Sequence, residues 1–172
     1  MVETVVVIPF FQKKSGVLQR TLKSVLEQSY DGNFLICIID DGSPISSIDE
    51  IAGFLPNEKI VSIQQANQGP ASARNRGIAY AREVKASFVA FIDSDDIWQP
   101  EHLKQAIEIL GNEEDFYFCD AKQRRRNNTV FLDKSFPNQS EFEILEHSSE
   151  GLRLLPSVAN LILSQRCPIA MS

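Results

Sequence analysis

From Thr4 to Cys119 the chain changes its hydrophobic period again and again, and few folds accept that pattern. Short, β-branched apolar runs stand at Thr4–Ile8, Phe34–Ile39, Ile60–Ile63 and Phe88–Ile92, with a fifth at Phe116–Cys119. They are apolar without alternation, as strands are when both faces of a parallel sheet are covered. Helical patterns separate them. Leu18, Leu22, Val25 and Leu26 share one face behind a Ser15 cap, and Ile78, Ala79 and Ala81 follow Pro70. Leu103, Ala106, Ile107 and Leu110 follow Pro100 and stop at Gly111. Ile45–Leu55 is a weaker helical segment. Strand and helix in alternation imply right-handed crossovers and an α/β fold, a mostly parallel sheet with helices on both faces.

Beyond Asp120 the character changes. Lys122, Arg124, Arg125 and Arg126 form a basic turn, and Thr129–Leu132 reads as a short strand. Ser135–Glu150 reads as polar and irregular, and Leu152–Leu163 as a helix interrupted at Pro156. The expected division is a core over residues 1–120 and the start of a further region of the same domain over 121–172. The 172 residues amount to one domain that folds without disulfides or structural metal. A net charge of −6 argues against a general nucleic-acid or membrane binder. Cys37 and Cys119 lie among apolar residues and read as buried, reduced thiols; Cys167 completes an odd set without metal-ligand spacing. Glu3 interrupts the first residues, and the apolar run ending at Ile8 is too short for a signal peptide. The expected compartment is the cytoplasm.

In an open parallel sheet, ligands bind beyond the carboxyl ends of the strands, near a reversal of strand order. Pro9-Phe10-Phe11, Asp40-Asp41-Gly42-Ser43 and Asp93-Ser94-Asp95-Asp96 close the first, second and fourth runs. Five carboxylates would then gather along one edge, repelling one another unless a cation or a hydrogen-bonding ligand compensates. Asp93 and Asp95, two apart at the end of an extended strand, can point the same way. Such paired hard oxygens suit Mg²⁺ or Mn²⁺ with phosphate in the remaining positions, although the same string could be a solvated turn or a set of helix caps. Asp40-Asp41-Gly42-Ser43 is either a plain turn or an acceptor for a ring N–H of a base. Gly69-Pro70 opens a helix whose N–H groups can face an anion, and Arg74 or Arg76 could add a charge-assisted contact. The small residues there could instead serve close helix–sheet packing. Phe11 either stacks on a flat base or plugs the sheet edge. His102 and His147 show no metal or triad spacing.

Taken in order, these residues resemble the family 2 inverting glycosyltransferases with the Rossmann-like GT-A fold. The resemblance rests on Val5-Val6-Val7-Ile8-Pro9, Leu22 through Tyr30, Ile38-Ile39-Asp40-Asp41-Gly42-Ser43, Asn67-Gln68-Gly69 with Ala73 through Gly77, and Phe91-Ile92-Asp93-Ser94-Asp95-Asp96 with Pro100 and Leu103. It covers about Val2 to Leu110. It implies transfer of a sugar, with inversion, from a nucleoside diphosphate sugar, usually a uridine one. The acceptor would be a hydroxyl of a saccharide or lipid-linked saccharide, which allows a place at the inner face of a membrane.

By similarity, Pro9 and Phe11 line the base pocket, Asp41 with Asp40 beside it contacts the base, and Arg74 lies near the base or diphosphate. Asp93 would sit by the ribose and metal, Ser94 would be among the nucleotide-sugar-binding residues, and Asp95 would be the main Mn²⁺ or Mg²⁺ ligand with Asp96 close by. Two departures stand out. Phe11-Gln12 replaces a frequent Tyr-Asn, and the catalytic base, an Asp in a later Glu-Asp type motif, has no counterpart before Ser172. The expectation is a C-terminally truncated chain whose residues 121–172 begin the acceptor side and which binds donor but transfers poorly. Asp120, Asp133 or a nearby Glu is the alternative base. The rival functions are a non-catalytic nucleotide-sugar-binding module and an Asp-dependent phosphohydrolase built on Asp93.

Overall fold

The first four apolar runs become β1 (Thr4–Phe10), β2 (Phe34–Asp41), β3 (Ile60–Gln65) and β4 (Phe88–Phe91). Between and after them come α1 (Val17–Leu26), α2 (Ser47–Ile51) with a 3₁₀ turn over Ala52–Phe54, α3 (Pro70–Glu83) and α4 (His102–Leu110). This computed structural model describes residues 2–111, Tyr117, Cys119, Lys122 and the backbone of residues 143–148 and 151–155.

The sheet order is β3-β2-β1-β4, with every pair parallel. The chain steps outward from β1 to β3 and then returns to the far side of β1 for β4. The reversal of strand order therefore falls between β1 and β4, and in open parallel sheets the ligand crevice lies outside the carboxyl ends at such a point. Phe11 and the Asp93–Asp96 segment lie there by topology alone.

β1 is buried along its whole length, and its alternate residues feed two cores. Val6, Ile8 and Phe10, with Ile36 and Ile38 of β2, pack against Leu18, Leu22 and Val25 of α1 and Leu103 of α4. Val5 and Val7, with Cys37 and Ile39, pack against Ala73 and Ala81 of α3. Coverage on both faces is why the strands read as unbroken apolar runs.

The α3 face differs from the expected one. Its buried stripe is Ala73, Gly77 and Ala81, whereas Ile78 and Ala79 are half-buried. A Cβ at Gly77 would sit 2.3 Å from Val7 Cγ1. The helix lies so close to the sheet that small volume, rather than hydrophobicity, selects its inner face.

The start of α1 also differs. Ser15 is not the cap; Gly16 is, with φ 79°, and no side chain of its own caps the helix. The Gly16 N–H instead donates to both oxygens of Glu50, 2.8 Å each, a buried carboxylate on α2. A cap borrowed from another helix leaves no local signal.

The chain divides into two compact units, Met1–Gly111 and Asn112–Ser172. In the second, β5 (Glu143–Ser148) and β6 (Gly151–Leu155) form an antiparallel hairpin closed at Ser148 and Gly151. This corrects the irregular reading of Ser135–Glu150 and the helical reading from Leu152. Pro156 leaves too few residues before it for a helix, and a pairing strand then decides the conformation. Cys37 is buried as expected, but Cys119 is exposed, because apolar neighbours in sequence do not dictate which way one side chain faces. The expected strand at Thr129–Leu132, Cys167, and most of the Phe116–Cys119 run and the basic turn lie outside the described residues. Among the described residues no helix is long and apolar enough to cross a membrane.

Candidate functional site

β1 runs through Pro9 and Phe10 before it ends. Pro9 is buried in the strand opposite Ile39, and Phe10 lies in the α1-side core. Phe11, the next residue, emerges at the crevice 43% exposed. An aromatic ring left that open beside a buried strand end is a ready platform for a flat base.

The two carboxylates that close β2 point to opposite layers, as successive strand residues must. Asp40 turns toward α2 and accepts from the backbone N–H groups of Ser43 (2.9 Å) and Ser47 (2.8 Å), so both its oxygens secure the β2–α2 turn. Asp41 turns toward α3. One of its oxygens accepts from Gln65 Nε2 (2.7 Å) and the Gln68 N–H (2.9 Å), the other from the Gly69 N–H (2.8 Å). Burial alone would raise the Asp41 carboxyl, but the hydrogen bonds from Gln65, Gln68 and Gly69 outweigh it and hold it below its ordinary value. Asp41 is thus an internal anion for the Gln68-Gly69 approach to α3, part of the donor set expected to face a ligand. Gly42 between them has φ +66° and a hypothetical Cβ only 3.0 Å from the Asn67 nitrogen, so this turn needs glycine.

From α3, Arg74 reaches across to Asp93, with Nη2 2.6 Å from the carboxylate oxygen and both side chains partly exposed. Arg76 points elsewhere and pairs with Glu83 at 3.5 Å on the exposed face. Only Arg74 belongs to the crevice.

The acidic segment is not extended. β4 stops at Phe91, and the Asp96 N–H bonds the Asp93 carbonyl at 3.0 Å to form a turn. The expectation that Asp93 and Asp95 project together from a strand gives way to a turn in which Asp93 holds Arg74 and Asp95 is exposed. The gathering of five carboxylates also resolves differently. Asp40 is satisfied by backbone donors and Asp41 by backbone donors and the Gln65 amide, and the crowding is among Asp93, Asp95 and Asp96. The Asp96 carboxyl is raised by desolvation first, then by the Asp95 and Asp93 charges. No cluster of three or more potential metal ligands is assembled among the described residues. Two hard carboxylates in a crowded negative field still fit Mg²⁺ or Mn²⁺, which fill their shells with water and phosphate.

Several positioning residues escaped the sequence reading. The Gln12 N–H donates to Ser43 Oγ (2.9 Å) and its side-chain amide to Ser94 Oγ (2.9 Å), so one residue ties together the ends of β1, β2 and β4. Ser94 is accordingly buried rather than open to a ligand. Thr21 and Ser24 lie on α1, and Gln28 follows just beyond its end. The Thr21 hydroxyl donates to the carbonyls of Ser94 (2.9 Å) and Asp96 (2.7 Å), and Ser24 Oγ accepts from the Trp98 N–H (3.2 Å). Gln28 donates to the Gln99 carbonyl (2.7 Å) and accepts from the Leu103 N–H (2.8 Å), capping α4. A trace existed: Thr21 is a polar position on the helix face that Leu18, Leu22 and Val25 make apolar. His102 stacks on Trp98 at 4.5 Å, and burial depresses it to about 4, a partly buried, neutral histidine.

Comparison with known proteins follows the same line. The Glycosyl transferase family 2 model matches residues 5–162. The succinoglycan biosynthesis protein ExoW of Rhizobium meliloti (strain 1021) is 44% identical over 112 residues, 64% of this chain and 34% of ExoW. The uncharacterized glycosyltransferase RC0461 of Rickettsia conorii (strain ATCC VR-613 / Malish 7) is 33% identical over 171 residues, 96% of this chain and 24% of that protein. The chain thus spans about a third of one curated relative and a quarter of the other. Among solved structures, S. aureus TarS 1-349 in complex with UDP-GlcNAc superposes with a TM-score of 0.62 at 22% identity, covering 74% of this chain and 37% of TarS. The likeness establishes the α/β, GT-A-like fold.

Proposed function

The chain belongs to glycosyl transferase family 2, and from that premise we propose that it carries the donor site of an inverting transferase. The donor is a nucleoside diphosphate sugar, with uridine diphosphate favoured because TarS, which shares the fold, is known with UDP-GlcNAc and with UDP. The acceptor is a hydroxyl of a saccharide or lipid-linked saccharide. The observation that carries the reading is the joining of Arg74 to Asp93 at the switch-point crevice, with exposed Phe11 on the β1 side and Asp95 on the same turn.

Each residue then has a task. Phe11 stacks on the base, and Asp41, already fixing the Gln68-Gly69 loop, presents its carboxylate edge to a ring N–H. Arg74 places a permanent cation beside the diphosphate, guided by Asp93. Asp93 and Asp95 would hold a divalent cation, whose chemistry is to neutralise the departing diphosphate. The acceptor oxygen forms its bond to the anomeric carbon as the bond to the diphosphate breaks. The electron pair leaves on the phosphate oxygen, and the acceptor proton passes to a base. Residues 121–172 would begin the acceptor side.

The test is calorimetric titration of uridine diphosphate with Mn²⁺ or with EDTA, followed by an assay for UDP release from UDP-sugars. Asp95→Ala should lose most of the Mn²⁺-dependent affinity with its circular dichroism unchanged, because it deletes an exposed ligand. Full affinity in Asp95→Ala removes the metal assignment. Binding without turnover favours a non-catalytic donor-binding module.

A further inference from the structure

The acidic turn is anchored from below by a single buried hydroxyl. Thr21 lies on the apolar face of α1, fully buried, with Leu18, Leu22 and Val25 around it. It shares its one hydroxyl proton between the carbonyls of Ser94 and Asp96, at 2.9 and 2.7 Å. These carbonyls flank Asp95 in sequence. The turn is closed on its other side by the Asp96 N–H to Asp93 carbonyl bond, and Gln12 holds Ser94 Oγ. Backbone on both sides of Asp95 is therefore drawn inward, while its own carboxylate is left exposed.

We propose that Thr21 is a positioning residue for the divalent-cation site, acting through the Ser94 and Asp96 carbonyls to fix the direction in which Asp95 presents its oxygens. A hydroxyl is needed because it meets the Ser94 carbonyl in a buried setting and the Asp96 carbonyl in a part-buried one, where an unanswered acceptor is costly. With the hydroxyl removed, the carbonyls would turn toward water and the turn would rotate, carrying Asp95 away from Asp93. Groups that orient metal ligands typically change metal affinity by about 10–100-fold, and Thr21 would act on Asp95 through the backbone on either side of it.

This inference rests on the donor-site reading above, and the experiment separates the two. Titrate uridine diphosphate into wild type, Thr21→Val and Thr21→Ser, each with Mn²⁺ and with EDTA, and record thermal unfolding of each. The quantity read is the gain in affinity that Mn²⁺ confers. Thr21→Val keeps the volume and loses the hydroxyl, so its gain should fall on the order of tenfold while its metal-free affinity holds. Thr21→Ser keeps the hydroxyl and should restore the gain. A purely structural role predicts instead that both affinities fall together, in proportion to lost stability, and that result overturns the proposal. Where Thr21→Val does not fold, Thr21→Ala, which needs no room for a second methyl, carries the same comparison. A wild-type gain kept in full by the variant overturns this inference alone. No gain from Mn²⁺ in wild type overturns the metal reading and this inference with it.

Discussion

At the scale of single residues, the adjacent carboxylates Asp40 and Asp41 show how one step along a strand separates two roles. Asp40 holds the β2–α2 turn through Ser43 and Ser47. Asp41 holds the loop before α3 and accepts three N–H groups. An asparagine in either place turns an amide group toward a backbone N–H, so both substitutions should lower stability by about 1–3 kcal/mol in urea unfolding. They should part on nucleotide. Asp41→Asn should weaken uridine binding measured without metal, and Asp40→Asn should leave it near wild type once the protein is folded. The reverse pattern moves the base contact to Asp40. The sequence shows two aspartates and a turn. It does not say which hydrogen-bond donors reach each one, because those donors lie up to 28 residues away.

At the scale of elements, α3 is positioned by what it lacks. Ala73, Gly77 and Ala81 bring its axis close to β1, and this closeness lets Arg74 of the first turns meet Asp93. Gly77→Ala would normally favour a helix interior by about 1 kcal/mol. Here the new methyl would fall 2.3 Å from Val7 Cγ1, inside a fully buried layer. Overpacking of that kind costs about 1–3 kcal/mol, so the net change should be destabilising. Thermal unfolding checks the sign, and an unchanged or raised midpoint shows that α3 can shift outward freely. The strand–helix alternation predicts α3 between two strands, yet of its apolar markers Ile78, Ala79 and Ala81 only Ala81 lies on the buried face. Apolar periodicity finds a face by hydrophobicity, whereas a helix pressed on a sheet selects its face by volume. The same limit applies to β6, where a short leucine-rich segment takes its conformation from its pairing strand.

At the scale of the whole molecule, acid stability should report on His102. Its folded value, about 4, lies below the ordinary 6.5 because burial disfavours the charged form. Between these values the unfolded chain binds the extra proton, so stability is complete above pH 6.5 and declines as pH falls toward 4. The share of the slope that His102 supplies is at most about 1.4 kcal/mol per pH unit. Urea unfolding at intervals across this window measures it. His102→Gln should flatten the slope, and an unaltered slope assigns it to another group. What the sequence determines by itself is the alternation of strand and helix, the parallel sheet, and the placing of Phe11, Asp41 and the Asp93–Asp96 segment at strand ends. These follow from local periodicity and from the few ways strands can be connected. Only the tertiary structure decides that Arg74 meets Asp93, that Glu50 caps α1, that Thr21 and Gln12 hold the acidic turn, and that Gln28 caps α4. Each of these contacts joins residues far apart in the chain. A polar side chain becomes a tether only when packing brings it an otherwise unanswered donor or acceptor.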